Sequence, residues 1–128
     1  MSAVPSQQPP RSVLVLDDDD AILLVVSRIL TRAGYTDTRA SDGREAIDKL
    51  RHKRFDAIVL DLMMPDVSGY EVIAHVKQHD PGRRSVIVVS AAAERAIDKA
   101  PETVVAAKLR KPFDLVALLS AVSKCVAS

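Results

Sequence analysis

A chain of 128 residues, 48% apolar and 27% charged, is long enough to bury one core and too short to hold two. Its formal net charge of +1 provides no global field for nucleic acid or an anionic membrane, so function has to come from a local site. The single cysteine, Cys125, excludes an internal disulfide framework and fits a reducing, cytoplasmic compartment, and no apolar run approaches the ~20 residues that cross a bilayer.

Residues 1 to 11 (MSAVPSQQPPR) hold three prolines and no apolar run, which predicts a disordered tail ahead of one folded unit over residues 12 to 128. From there short apolar runs alternate with helical periodicity, the pattern of a parallel sheet with crossover helices. Val13 to Leu16 is the first strand. Four aspartates, Asp17 to Asp20, follow it directly. A helix is predicted over Ala21 to Ala33, with Asp20 placed to cap its start, Gly34 to end it, and Ile22, Val25, Val26, Ile29 and Leu30 as its core stripe. A weaker strand, Thr36 to Ala40, leads to a helix over Gly43 to Lys53. Phe55 to Leu60 and Val86 to Val89 are so uniformly apolar that both of their faces must be covered, which makes them interior strands. Between them lies a helix over Ser68 to His79. The remaining elements are a short helix over Glu94 to Lys99, interrupted downstream by Pro101, a weaker strand over Ala106 to Arg110, and a last helix over Asp114 to Val126.

In an open parallel sheet, ligands sit outside the carboxyl ends of the strands, where the strand order reverses. Asp17 to Asp20, Asp61, Ser90 and Lys111 each follow or end a strand, so all four groups converge on one edge. An acidic run alone reads as a solvated loop with a helix cap. Two carboxylates ~4 Å apart repel by about 4 kcal/mol at an effective dielectric of ~20. Asp61 changes that reading, because between Ile58-Val59-Leu60 and Leu62-Met63-Met64 a charge is costly unless it is paired. A hard divalent cation with oxygen ligands, together with the Lys111 ammonium, would pair it. His52, His75 and His79 show no metal-ligand spacing and read as surface residues.

VLVLDDDDAI, IVLDLMMPDVSGYEV, VIVVSA and LRKPF, in that order, resemble the receiver domain of two-component response regulators, and the resemblance runs from about Ser12 to Val126. It implies a flavodoxin-like, doubly wound α/β fold with a five-stranded parallel sheet in the order 2-1-3-4-5 and five helices. It also implies a signalling domain rather than an enzyme. Asp61 matches the phosphoacceptor, which takes a phosphoryl group from a histidine kinase or a histidine phosphotransfer protein. Asp18 matches the direct Mg²⁺ ligand, Asp17 a neighbour acting through water, and the backbone carbonyl of Met63 a further ligand. Lys111 matches the point charge on a phosphoryl oxygen, Pro112 the cis peptide that often follows it, and Ser90 the switch hydroxyl, with small Ala91 beside it. Gly69 matches a permissive turn residue, and Asp19 is expected to be solvated.

The chain departs from the family pattern at several positions. Lys108 stands where an aromatic rotor is usual, which predicts a monomer or weak dimer. Met63 and Ala92 replace polar residues that often orient the hydrolytic water, which predicts slow loss of the phosphoryl group. Leu23 and Leu24 occupy commonly polar positions on the first helix; exposed, they would extend the face on which kinase helices dock, and buried, they would add to the core. Asp17-Asp18-Asp19 also contains the Asp-x-Asp of haloacid-dehalogenase-type phosphohydrolases, but the cap domain and further acidic motifs of that family are missing. A degenerate receiver serving only as an interaction module is disfavoured by the intact set Asp18, Asp61, Ser90 and Lys111.

Overall fold

The computed structural model describes residues 11–62, 69–90, 104–112 and 114–127, with the side chains of Ser90 and Ala127 outside that description. In chain order the elements are β1 (Ser12–Leu16), α1 (Asp20–Arg32), β2 (Thr36–Ala40), α2 (Gly43–His52), β3 (Ala57–Asp61), α3 (Gly69–His79), β4 (Val86–Ser90), β5 (Val105–Arg110) and α4 (Leu115–Ala127). All five strands are parallel in the order β2-β1-β3-β4-β5, as expected. The helix expected over Glu94 to Lys99 lies outside the described residues, and of the tail expected over residues 1 to 11 only Arg11 is described.

Successive side chains of a strand point to opposite faces, and here that alternation sorts the core into two layers. Leu14, Leu16, Ile58, Leu60, Val86 and Val88 pack beneath Ala46 of α2 and Val72, Ile73 and Val76 of α3. Val13, Val15, Val59, Ile87 and Val89 pack against Leu23, Val26 and Leu30 of α1 and Leu118, Ala121, Val122 and Cys125 of α4. The uniform apolarity of β1, β3 and β4 is the sequence mark of this double coverage. β2, at the edge, is polar instead: Asp37 accepts hydrogen bonds from Ser27 and Thr31 of α1.

The strand order reverses beside β1. The connection through α1 leads to β2 on one side, while β3 lies on the other, which opens a crevice at the carboxyl ends of β1 and β3. The opposite end of the sheet is braced by Arg83. Its guanidinium donates to the carbonyls of Phe55 (3.0 Å) and Asp56 (2.9 Å) and pairs with the Asp56 and Asp80 carboxylates at 3.8 and 3.5 Å. Asp56 in turn accepts from the Ser12 amide at 2.9 Å.

Candidate functional site

Three strands deliver charge to the crevice. Asp17 is the first residue after β1 and only 4% exposed. Its Oδ1 accepts from the Asp19 amide at 2.9 Å, and its Oδ2 accepts from Lys111 Nζ at 2.7 Å. Asp61 ends β3, is 6% exposed, and accepts from the same ammonium at 3.2 Å. Lys111 follows β5 directly, with 16% of its side chain exposed. Burial pulls that ammonium toward deprotonation, but the hydrogen bonds and negative charges of Asp17 and Asp61 outweigh burial, so its pKa is raised. The Lys111–Pro112 peptide is cis, matching the expectation from sequence.

Asp18 is exposed beside this pair, and one carboxylate oxygen from each of Asp17, Asp18 and Asp61 lies within 4.8 Å of the others. All-oxygen donors of this charge suit a hard divalent cation, whose ligand oxygens stand ~2.0 to 2.6 Å from the ion and therefore up to ~5 Å apart. The residues present fit such an ion. Among the described residues this is the one group of three or more His, Cys, Asp or Glu side chains gathered closely enough to hold a metal.

Comparison with known proteins agrees with this geometry. The family model of the response regulator receiver domain matches residues 13–123. The chain is a response regulator receiver domain. Its relatives include the probable transcriptional regulatory protein TcrX of Mycobacterium tuberculosis, 41% identical over 57% of this chain and 31% of that protein. Sporulation initiation phosphotransferase F of Bacillus subtilis is 27% identical over 88% of this chain and 90% of its own length. Among solved structures, response regulator TrrA of Thermotoga maritima in complex with Mg²⁺–BeF is 26% identical, with a TM-score of 0.80 over 90% of this chain and 98% of that chain. The receiver domain thus spans about a third of the length of relatives such as TcrX and most of the length of the phosphotransferase.

Within the receiver domain, several expectations are corrected. The N-cap of α1 is Asp19, not Asp20: its carboxylate accepts from the amides of Ala21 (2.9 Å) and Ile22 (3.3 Å), and Asp20 is already the first helical residue. Leu23 is buried and Val25 is 56% exposed, so Leu23 cannot belong to a docking face and Val25 does not belong to the core. Residues 23, 26 and 30 share the sheet-facing side at the ~100° spacing of a helix, and residue 25 falls outside it. Leu24 is exposed, as the docking reading requires. His75 is half-buried and stacks on His79 at 4.1 Å, so it is not a plain surface residue.

Ser90 ends β4 in register with Arg110, one residue before Lys111, while Met63 and Ala92 lie outside the described residues. Lys108, in register with Val88, is partly buried on β5. Gly69 serves close approach rather than turn flexibility. A Cβ there would lie 2.4 Å from the Asp61 carbonyl oxygen and 2.7 Å from Leu62 Cα. The exposed start of α4 carries no signal in the sequence. Its first residues, Leu115 and Val116, are exposed, and Leu115 lines a 630 Å³ apolar groove with Ile22, Val25, Ile29, Pro112 and Lys111.

Proposed function

We propose that this receiver domain accepts a phosphoryl group on Asp61 from a histidine kinase or a histidine phosphotransfer protein. The observation that carries the reading is the Lys111 ammonium held between the buried carboxylates of Asp17 and Asp61, with Asp18 beside them. A carboxylate oxygen of Asp61 attacks the phosphorus of a phosphohistidine. The new O–P bond forms as the N–P bond breaks, and the electron pair returns to the imidazole nitrogen. Lys111 then follows the growing negative charge from Asp17 toward a phosphoryl oxygen.

Asp18 and Asp61, with the Met63 carbonyl, would hold Mg²⁺. Asp17 would act through water, since both of its oxygens already accept hydrogen bonds from the protein. When bound, the ion supplies positive charge that offsets both the carboxylates and the phosphoryl oxygens. Ser90, at the end of β4, is assigned the hydroxyl that closes on the phosphoryl group. The donor's helices dock on Leu24, Val25, Leu115 and the groove leading to Lys111, which places the phosphohistidine next to the acceptor. Lys108 replaces the aromatic rotor, so the output side of β5 moves little and the domain acts in the cytoplasm as a monomeric or weakly dimeric relay or regulator. The nearly full-length match to a sporulation phosphotransferase supports a relay.

The test is mass spectrometry after incubation with a small acyl phosphate and Mg²⁺. One acid-labile phosphoryl group is expected on the wild type and none on Asp61→Asn. Undiminished labelling of the variant refutes the assignment.

A further inference from the structure

At the braced end of the sheet, away from the aspartates, a 460 Å³ cavity opens between the C-terminal ends of α2 and α3. Its floor is apolar, made by the half-buried Leu50 and by Phe55, Ile58 and Val76, which belong to the core and keep only 2 to 4% of their surface exposed. Its rim carries Arg51 and His52 of α2, Lys53 and Arg54 just beyond it, and His75 and His79 of α3. Asp80 is the one acid in the lining, and it is engaged by Arg54 at 3.3 Å and Arg83 at 3.5 Å. Arg51 and Lys53 make no ion pair with a carboxylate among the described residues, and Lys53 lies 5.3 Å from the centre of the Phe55 ring.

Basic residues in the last turn of a helix are commonly explained by the helix dipole, and that covers Arg51, His52 and His79. It extends to Lys53, the C-cap of α2, and Arg54 pairs with Asp80, but neither accounts for an apolar hollow beneath them. A metal is disfavoured, because no third ligand approaches His75 and His79 among the described residues and the surroundings are cationic. The volume lies within the ~300 to 1,000 Å³ of small-molecule sites. We propose that this cavity is a second binding site, for a phosphorylated molecule with a flat apolar group, the chemistry of a nucleoside di- or triphosphate. The flat group lies on the floor, and the phosphates meet Arg51 and Lys53 at the rim.

Proton uptake accompanies binding. Burial, His79 and Arg51, in that order, hold the pKa of His75 below its usual value. An anion at the rim offsets the repulsion from His79 and Arg51, so His75 gains a proton as the ligand binds. Asp80 stays committed to its arginines.

The test is titration of the intact chain with ATP, inorganic triphosphate or adenosine, in chelator-containing buffer that keeps the aspartate site metal-free, followed by backbone amide and histidine ring resonances. ATP is expected to shift resonances of residues 51 to 55 and 75 to 80, to bind more tightly than triphosphate, and to bind about tenfold more tightly at pH 6 than at pH 8. Arg51→Glu, an exposed position, is expected to abolish these shifts without altering acyl-phosphate labelling. Equal affinity for ATP and triphosphate overturns the proposal, as do shifts that survive in Arg51→Glu, and so does binding of a glutamate-rich amphipathic peptide where ATP has no effect at about 5 mM.

Discussion

Replacing Gly69 by alanine puts one methyl group against the backbone that carries the proposed acceptor. The new Cβ would meet the Asp61 carbonyl oxygen at 2.4 Å, Leu62 Cα at 2.7 Å and Leu60 Cδ1 at 3.0 Å. A side chain could swing aside, but the first two atoms are backbone atoms of Asp61, which ends β3 and is paired with Val89 of β4, and of the residue that follows it. Overpacking of this kind costs about 1 to 3 kcal/mol, whereas alanine gains at most about 1 kcal/mol over glycine in a helix, and less at its first residue. The net expectation is a loss of about 1 to 2 kcal/mol, or roughly 3 to 10 °C in Tm for a domain of this size. Because the displaced backbone is that of Asp61, labelling by a small acyl phosphate at saturating Mg²⁺ should slow as well, by up to about 100-fold for a shift of ~1 Å. Gly34→Ala is the control: its φ is +94° and nothing lies within 4 Å, so it should cost about 1 kcal/mol in strain and leave labelling unchanged. Urea denaturation and labelling kinetics measured side by side decide the matter. A Gly69→Ala protein as stable and as quickly labelled as the wild type would refute the close-approach argument.

Lys111→Met should lower stability in metal-free buffer by stranding two buried carboxylates. The folded pKa of Lys111 is raised, so its contribution is complete below the ordinary value of 10.5 and is lost as pH rises through the folded value; urea midpoints of the two proteins should therefore converge only above that pH. The same variant should bind Mg²⁺ more tightly by calorimetry, because the competing ammonium is gone, and yet be labelled more slowly. Asp19→Ala should cost about 1 kcal/mol through the lost cap and Asp20→Ala much less; equal losses in thermal unfolding would contradict the cap assignment. Burial raises the pKa of Cys125 against a smaller opposing effect of Arg83, so a thiol reagent at pH 8 should modify it only as fast as the native protein opens.

The interior strands were legible because burial on both faces leaves nothing but apolar residues to read, and the carboxyl-end rule then brought Asp17, Asp61 and Lys111 to one crevice. The start of α1 was not legible. Ala21 to Val26 is an unbroken apolar run, so the stripe can be drawn through Leu23 or through Val25 with little difference, and only packing against the sheet selects Leu23. The cap was ambiguous for a related reason: four consecutive aspartates offer the same side chain at every candidate position, and the backbone decides among them. The role of Gly69 was not legible either, since residue type cannot tell a permissive turn from a close approach that excludes a Cβ. The exposure of Leu115 and Val116 has no mark in the sequence because α4 is apolar nearly all round.

Arg83 ties together the points at which β1 and β3 enter the sheet, binding two carbonyls directly and reaching the Ser12 amide through Asp56. These ties stand at one pole of the molecule, while the reactive groups stand at the other, on residues that end or follow the strands. A sequence organised in this way can exchange loop residues around Asp61 and Lys111 during its history without loosening the joints at its base. Lys108 is a change of another kind, because it stands within β5, in register with Val88, where a substitution is felt by the sheet itself.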